Sequence, residues 1–271
     1  MLNLLAVINW QSVGLVVAIL AVLAIVFTAL IILVGKICAV EENPKIGEVA
    51  EKLSGANCGG CGFAGCADFA KALVEGRAEV SACSATPKEN KVEIAKILGQ
   101  EVVETEPMFA VVKCAGNIEN AIKKYDYIGN NTCEAKNTYF GGDKKCSAGC
   151  LGGGSCEAHC SFGAITVVNG VAVTNKALCT GCSVCVKGCT KHVIELIPKS
   201  ASVYVACSSH CKGKDVMSAC KVGCIGCGLC AKNCPNGAIT MKDNLPYIDY
   251  TKCNGCLTCI EKCPKKVIKK V

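Results

Sequence analysis

Residues 224–234, CIGCGLCAKNC, and residues 253–263, CNGCLTCIEKC, share the spacing CxxCxxCxxxC. The spacing recurs at 179–189, CTGCSVCVKGC, and in stretched form at 146–160, CSAGCLGGGSCEAHC. In such a run three thiolates hold one 4Fe-4S cluster and the fourth crosses over to the neighbouring cluster of a two-cluster module. One run is a hint; paired runs are a strong indication. The chain has 26 cysteines in 271 residues, yet secreted disulfide scaffolds are short and lack families of crossing runs. Zinc ribbons need only two CxxC pairs per tetrahedral site, which leaves the third and fourth cysteines of each run without a role. Thiolates that stay reduced and unpaired place the runs in a reducing compartment.

An ungapped shift of 74 residues lays the second half of this region on the first. Cys146, Cys150, Cys156, Cys160, Cys179, Cys182, Cys185 and Cys189 fall on Cys220, Cys224, Cys230, Cys234, Cys253, Cys256, Cys259 and Cys263. Residues 162–166, FGAIT, align with 236–240, NGAIT. Each GAIT stretch with its hydrophobic continuation predicts a β-hairpin, followed by a helix carrying the fourth cysteine. Each copy is expected to be a small α+β ferredoxin module.

The crossover rule predicts four ligand sets: Cys146, Cys150, Cys156 with Cys189; Cys179, Cys182, Cys185 with Cys160; Cys224, Cys227, Cys230 with Cys263; and Cys253, Cys256, Cys259 with Cys234. Gly153 stands where Cys227 would have its counterpart, so either Cys220 or Cys227 can be the ligand of its cluster. Proline follows Cys234 and Cys263, whereas Ser161 and Thr190 follow the first module's fourth cysteines.

Upstream, residues 57–66 read NCGGCGFAGC, with a helix expected from Ala67 to Glu75 and Cys83 beyond it. The glycines let backbone amides approach a cluster closely. Cys58, Cys61, Cys66 and Cys83 therefore form a fifth candidate set. Cys38, Cys114, Cys133, Cys207, Cys211 and Cys220 remain over. The shift also relates Cys133 to Cys207, and a sixth cluster on Cys114, Cys133, Cys207 and Cys220 would link the two modules. The competing reading is free buried thiols, which behave as small hydrophobes.

From Ser12 to Val34 there is no charge and no proline, a stretch long enough to span a hydrocarbon core. A signal peptide would have a shorter apolar region behind a basic one and would lead to an oxidising compartment. Lys36 and Lys45 follow the segment and no Lys or Arg precedes it, so the positive-inside rule predicts an anchor with its cluster domains in the cytoplasm.

The formal charge is +7, but each cluster with its four thiolates carries about −2, so five or six of them bring the total to about −3 to −5. Nucleic acid is not an expected partner. The lysines from Lys262 to Lys270 could meet an acidic protein or anionic lipid, or simply stay solvated. Aromatic residues make up 5%, too few for apolar burial alone to hold modules of about 50 residues. The expected fold class is α+β: a transmembrane helix (1–35), a small helical 4Fe-4S domain (36–90), a connector (91–143) with a strand near Val111 and a helix from Asn117 to Tyr125, and two tandem 2x(4Fe-4S) ferredoxin modules (144–200 and 201–271).

There is no GxGxxG after a strand, no P-loop and no flavin signature, and the histidines are His159, His192 and His210. The sequence predicts a subunit that passes electrons, with no catalytic residues of its own. A single N-terminal span followed by NCGGCGFAGC, KCSAGCLGGGSCEAHC and the tandem runs resembles the B subunit of the Rnf complex over essentially the whole chain. That resemblance implies an ion-translocating ferredoxin:NAD oxidoreductase in which this subunit takes electrons from reduced ferredoxin and relays them to the other, membrane-embedded subunits. A ferredoxin-like subunit of another membrane redox complex, such as a hydrogenase, is the alternative. NCGGCGFAGC is also similar to a motif of corrinoid iron-sulfur methyl carriers, but no cobalamin-binding barrel accompanies it.

Overall fold

The computed structural model describes residues 10–37, 43–100 and 106–271. The chain divides into two units, 1–44 and 45–271; Cys38 lies outside the described residues. In the first unit, α1 (Trp10–Ile37) contains an apolar stretch of 24 residues, Val13–Lys36. At 1.5 Å per residue that is about 36 Å, enough to cross a hydrocarbon core of about 30 Å. Its apolar side chains are exposed on every face. Thr28 satisfies its hydroxyl within the helix by donating to the Ala24 carbonyl at 2.7 Å, and Lys36 complements the negative end of the helix dipole.

The second unit begins with three helices, α2 (Pro44–Lys52), α3 (Cys66–Val74) and α4 (Lys88–Leu98). They close over a core of Val49, Leu53, Phe69, Leu73, Val80 and Ile94. Phe69 and Leu73, four apart and so on one face of α3, each contribute about 1.5–3 kcal/mol by burial.

Two ferredoxin-type modules follow. The first comprises β1 (Met108–Val112), α5 (Cys133–Thr138), α6 (Ser155–Ala158), β2 (Ile165–Val168), β3 (Val171–Thr174), α7 (Val184–Lys187) and β4 (Ile194–Pro198). The second comprises β5 (Val203–Val205), α8 (Gly213–Ala219), α9 (Leu229–Lys232), β6 (Ile239–Lys242), β7 (Leu245–Ile248), α10 (Thr258–Glu261) and β8 (Ile268–Lys270). Among the described residues every sheet is a two-stranded antiparallel pair: β1 with β4, β2 with β3, β5 with β8, and β6 with β7. The two hairpins turn through Asn169-Gly170 and Asp243-Asn244, all four residues at positive φ, as a two-residue type I′ turn requires.

The short helices carry the third cysteine of each run, not the fourth as the sequence suggested. Cys156, Cys185, Cys230 and Cys259 lie in α6, α7, α9 and α10, and Cys160, Cys189, Cys234 and Cys263 follow just beyond the helix ends. A continuing helix would point residues i and i+4 the same way; ending it frees the fourth thiol to face a different site.

The helix expected at 117–125 is also absent. Its backbone is taken by two flanking segments: Lys124 N–H donates to Asp143 O at 2.7 Å and Lys145 N–H to Ile122 O at 2.7 Å on one side, while Ile122 N–H donates to Ala219 O at 2.9 Å and Lys221 N–H to Asn120 O at 2.9 Å on the other. Tertiary pairing overrides the local helical pattern. This strap holds the residues before Cys146 and those around Cys220 on either side of itself.

Strand register relates the modules more fully than the ungapped shift does. Val112 pairs with Ile194, and Val205 pairs with Ile268, which is Ile194 shifted by 74. Cys114 is thus the counterpart of Cys207, each two residues past the equivalent strand position. Cys114 stands 32 residues before Cys146, against 13 between Cys207 and Cys220; the longer stretch carries α5 and Cys133.

Candidate metal centres

All described cysteines are free thiols. In the helical domain Asn57, at φ +47, accepts the Cys66 N–H on its side-chain oxygen at 2.8 Å, which fixes the loop against the start of α3. Cys83 is buried with Sγ 3.2 Å from the Thr86 hydroxyl. Burial pushes the Cys61 thiol up, and Cys83 and Cys58 add to the effect by crowding it. The loop docks on the first module: a Cβ on Gly60 would lie 2.6 Å from the Cys182 carbonyl oxygen, and Cys58 is a charge neighbour of Cys182.

In the modules, the structure brings Cys160, Cys179, Cys182 and Cys185 together around one cavity. Burial, then the sulfurs of Cys179, Cys182 and Cys160, push the Cys185 thiol up to about 12. Cys224, Cys227, Cys230 and Cys263 line a second cavity, where burial and the neighbouring sulfurs push Cys230 up to about 11. Cys234, Cys253, Cys256 and Cys259 line a third. In these three sets the gathered residues are those the spacing brings forward.

The remaining cysteines are gathered differently from the spacing. Cys156 is pushed up to about 12 by burial and by Cys150, Cys133, Cys189 and Cys185. Cys133 occupies the place that Gly153 leaves empty of a thiol. A Cβ on Gly153 would lie 2.5 Å from the Cys133 nitrogen, so only glycine lets the start of α5 come so close. Cys146 turns instead toward Cys114, Cys207 and Cys220, which with burial push its thiol up to about 11. Those four line a cavity of about 210 Å³. Cys133, expected with Cys114, Cys207 and Cys220, is not on that cavity, and Cys211 is exposed at its edge.

Backbone amides point at many of these sulfurs. Ala164 N–H donates to Cys160 Sγ at 3.4 Å, Val193 to Cys189 at 3.5 Å, Val267 to Cys263 at 3.3 Å and Ala110 to Cys179 at 3.4 Å. Such bonds favour thiolate over thiol and are a means of setting a cluster's potential. Among the described residues no three Cys, His, Asp or Glu side chains converge as a single ion would need. Sulfur-only sets of four around a space, with amides directed at the sulfurs, suit the larger 4Fe-4S core. His210 Nδ1 sits 3.0 Å from the Asp243 carbonyl.

Duplicated modules of this kind, with thiols gathered in fours, define a multi-cluster iron–sulfur electron-transfer protein. Residues 53–85 match the family model described as "Putative Fe-S cluster", and residues 223–267 match the 4Fe-4S dicluster domain. The chain is 43% identical over 253 residues to the B subunit of the ion-translocating oxidoreductase complex of Methanosarcina acetivorans, covering 93% of this chain and 96% of that relative. It is 39% identical to the B subunit of the proton-translocating ferredoxin:NAD(+) oxidoreductase complex of Clostridium ljungdahlii, covering 96% and 93%. It is 38% identical to the Na(+)-translocating counterpart of Acetobacterium woodii, covering 93% and 76%. The chain belongs to the family of B subunits of the Rnf ion-translocating oxidoreductase complexes.

Proposed function

We propose that this subunit accepts electrons from reduced ferredoxin at its C-terminal module and relays them through its own clusters to membrane-embedded partners of a ferredoxin:NAD oxidoreductase. Five ligand sets are assigned: Cys58, Cys61, Cys66, Cys83; Cys160, Cys179, Cys182, Cys185; Cys133, Cys150, Cys156, Cys189; Cys224, Cys227, Cys230, Cys263; and Cys234, Cys253, Cys256, Cys259. Bound 4Fe-4S clusters supply one-electron transfer at low potential. The observation that carries the reading is succession: Cys58 neighbours Cys182, and Cys185 neighbours Cys156, so the residues of one set lead directly to those of the next.

Cys256 is exposed at the far end, and Thr258 donates its hydroxyl to that sulfur at 3.5 Å, which lowers the thiol's pKa. Exposed Lys262 and Lys266 stand on the same module and suit an acidic donor. The names of two relatives include ferredoxin and NAD(+), which supports that donor and overall reaction. The helix α1 supports a membrane anchor, with the other domains assigned to the cytoplasmic side from Lys36 and Lys45.

The test is anaerobic stopped-flow reduction of the full chain by reduced ferredoxin. Cys253→Ala is expected to slow reduction while the iron of the other sets stays in place. Unchanged reduction with that cluster demonstrably missing would move the entry point elsewhere.

A further inference from the structure

We infer that Cys114, Cys146, Cys207 and Cys220 together hold a further 4Fe-4S cluster, on the boundary between the two modules. This rests on the iron–sulfur reading above and adds a site whose ligands come from both modules. The four thiols line one cavity of about 210 Å³. A Cβ on Gly116 would lie 3.4 Å from Cys220 Sγ and 3.6 Å from Cys114 Sγ, so these two sulfurs border the same glycine-lined space.

The four are two pairs of repeat-related residues. Cys146 and Cys220 are matched by the 74-residue shift, and Cys114 and Cys207 by strand register. Each module therefore contributes one residue of each pair to the site. In each copy a cysteine matched by the 74-residue shift donates its amide to the boundary sulfur, Cys150 to Cys114 and Cys224 to Cys207, both at 3.4 Å. The 120–124 strap binds the backbone beside Cys146 and around Cys220, fixing both approaches to the cavity.

The assignment also joins the sets on Cys150 and on Cys224, since its ligands Cys114 and Cys207 accept the amides of those two cysteines. Binding balances as four thiols losing four protons to solvent while a [4Fe-4S]2+ core takes their four thiolates, for a net charge of about −2. Held by these four thiolates, a 4Fe-4S core would supply one-electron relay between the sets on either side of it. Lys144, buried with its ammonium on the Gly116 and Gly170 carbonyls, offsets part of the charge.

The experiment is iron, acid-labile sulfide and zinc per chain on the full-length protein, purified anaerobically in detergent, with EPR of the dithionite-reduced sample. About 24 iron and 24 sulfide are expected. Cys114→Ala/Cys220→Ala should lose about four of each, no more than Cys114→Ala alone, whereas Cys133→Ala/Cys146→Ala should lose about eight because the two residues serve different sites. A wild-type count of about 20, or a Cys146→Ala/Cys150→Ala loss of only about four, overturns the assignment. The wild-type count decides even if a variant fails to fold. Zinc in place of iron throughout would instead overturn the electron-relay reading itself.

Discussion

The amide of Cys224 donates to Sγ of Cys207 at 3.4 Å, and the first module repeats the bond from Cys150 to Cys114 at the same distance. The surroundings are not repeated. Lys144, 6% exposed, places its ammonium 2.7 Å from Gly116 O and 2.9 Å from Gly170 O, and its charge acts on both Cys114 and Cys150. The 74-residue counterpart is Ser218. The boundary therefore carries a fixed positive charge on its first-module side only.

Lys144→Met should lower the midpoint potentials of the clusters assigned to Cys114 and Cys150, because a reduced cluster carries one more negative charge and a buried cation stabilises it. The clusters assigned to Cys230 and Cys259 should not move. Two carbonyls lose their partner, at about 1–3 kcal/mol each if they remain buried and dry. An EPR-monitored redox titration reads the shift; equal displacement of all components would mean a general loosening of the protein.

Gly153→Ala tests the position of Cys133. The added methyl would meet the Cys133 nitrogen at 2.5 Å and the Thr132 carbonyl carbon at 2.6 Å, so α5 must move away. The cap of that helix, Thr132 Oγ1 accepting from Ala135 N–H at 3.2 Å, moves with it. The expected outcome is loss of about four iron per chain and of one reduced EPR component. Retention of full iron content would show that Cys133 is dispensable as a ligand.

Cysteine spacing brings forward the thiols that line three of the cavities, since a CxxCxxCxxxC run fixes which thiols can reach one space. It gives no sign that Cys146 lies on a cavity with Cys114, Cys207 and Cys220, or that Cys133 lies beside Cys156. The ungapped shift passes through the longer first-module stretch and aligns Cys133 with Cys207 by arithmetic alone. The signal that relates Cys114 to Cys207 is the strand before each, AVVKC at 110–114 and VYVAC at 203–207. The 120–124 strap was illegible for another reason: its pattern is locally helical, and its partners at 143–145 and 219–221 are remote in sequence.

Gly60→Ala separates docking from cluster binding. Its Cβ would fall 2.6 Å from Cys182 O and 3.0 Å from Cys182 Cβ, and neither can give way without shifting the run that holds the module's thiols. Overpacking of this kind costs about 1–3 kcal/mol. Iron content should stay at the wild-type value while electron passage from the first module to the Cys58 set slows and the loop becomes more sensitive to protease. Wild-type rates in stopped-flow reduction would mean that the docked contact is not on the route.

Removal of iron should dismantle the modules. Among the described residues each β-sheet has two strands, and an isolated two-stranded sheet is marginal in water. The metal-free thiols add a proton dependence: burial and crowding push Cys146 and Cys230 up to about 11 and Cys156 and Cys185 up to about 12, so at neutral pH they are protonated unless a cluster takes them as thiolates. The loaded fold thus binds fewer protons than the metal-free chain, and its stability must fall as the pH falls. Anaerobic chelation followed by far-UV circular dichroism should report cooperative loss of module structure, at a lower chelator concentration at pH 6 than at pH 8, while α1, which holds no cluster, keeps its helical signal. A metal-free chain with an unchanged spectrum would show that the apolar cores suffice on their own.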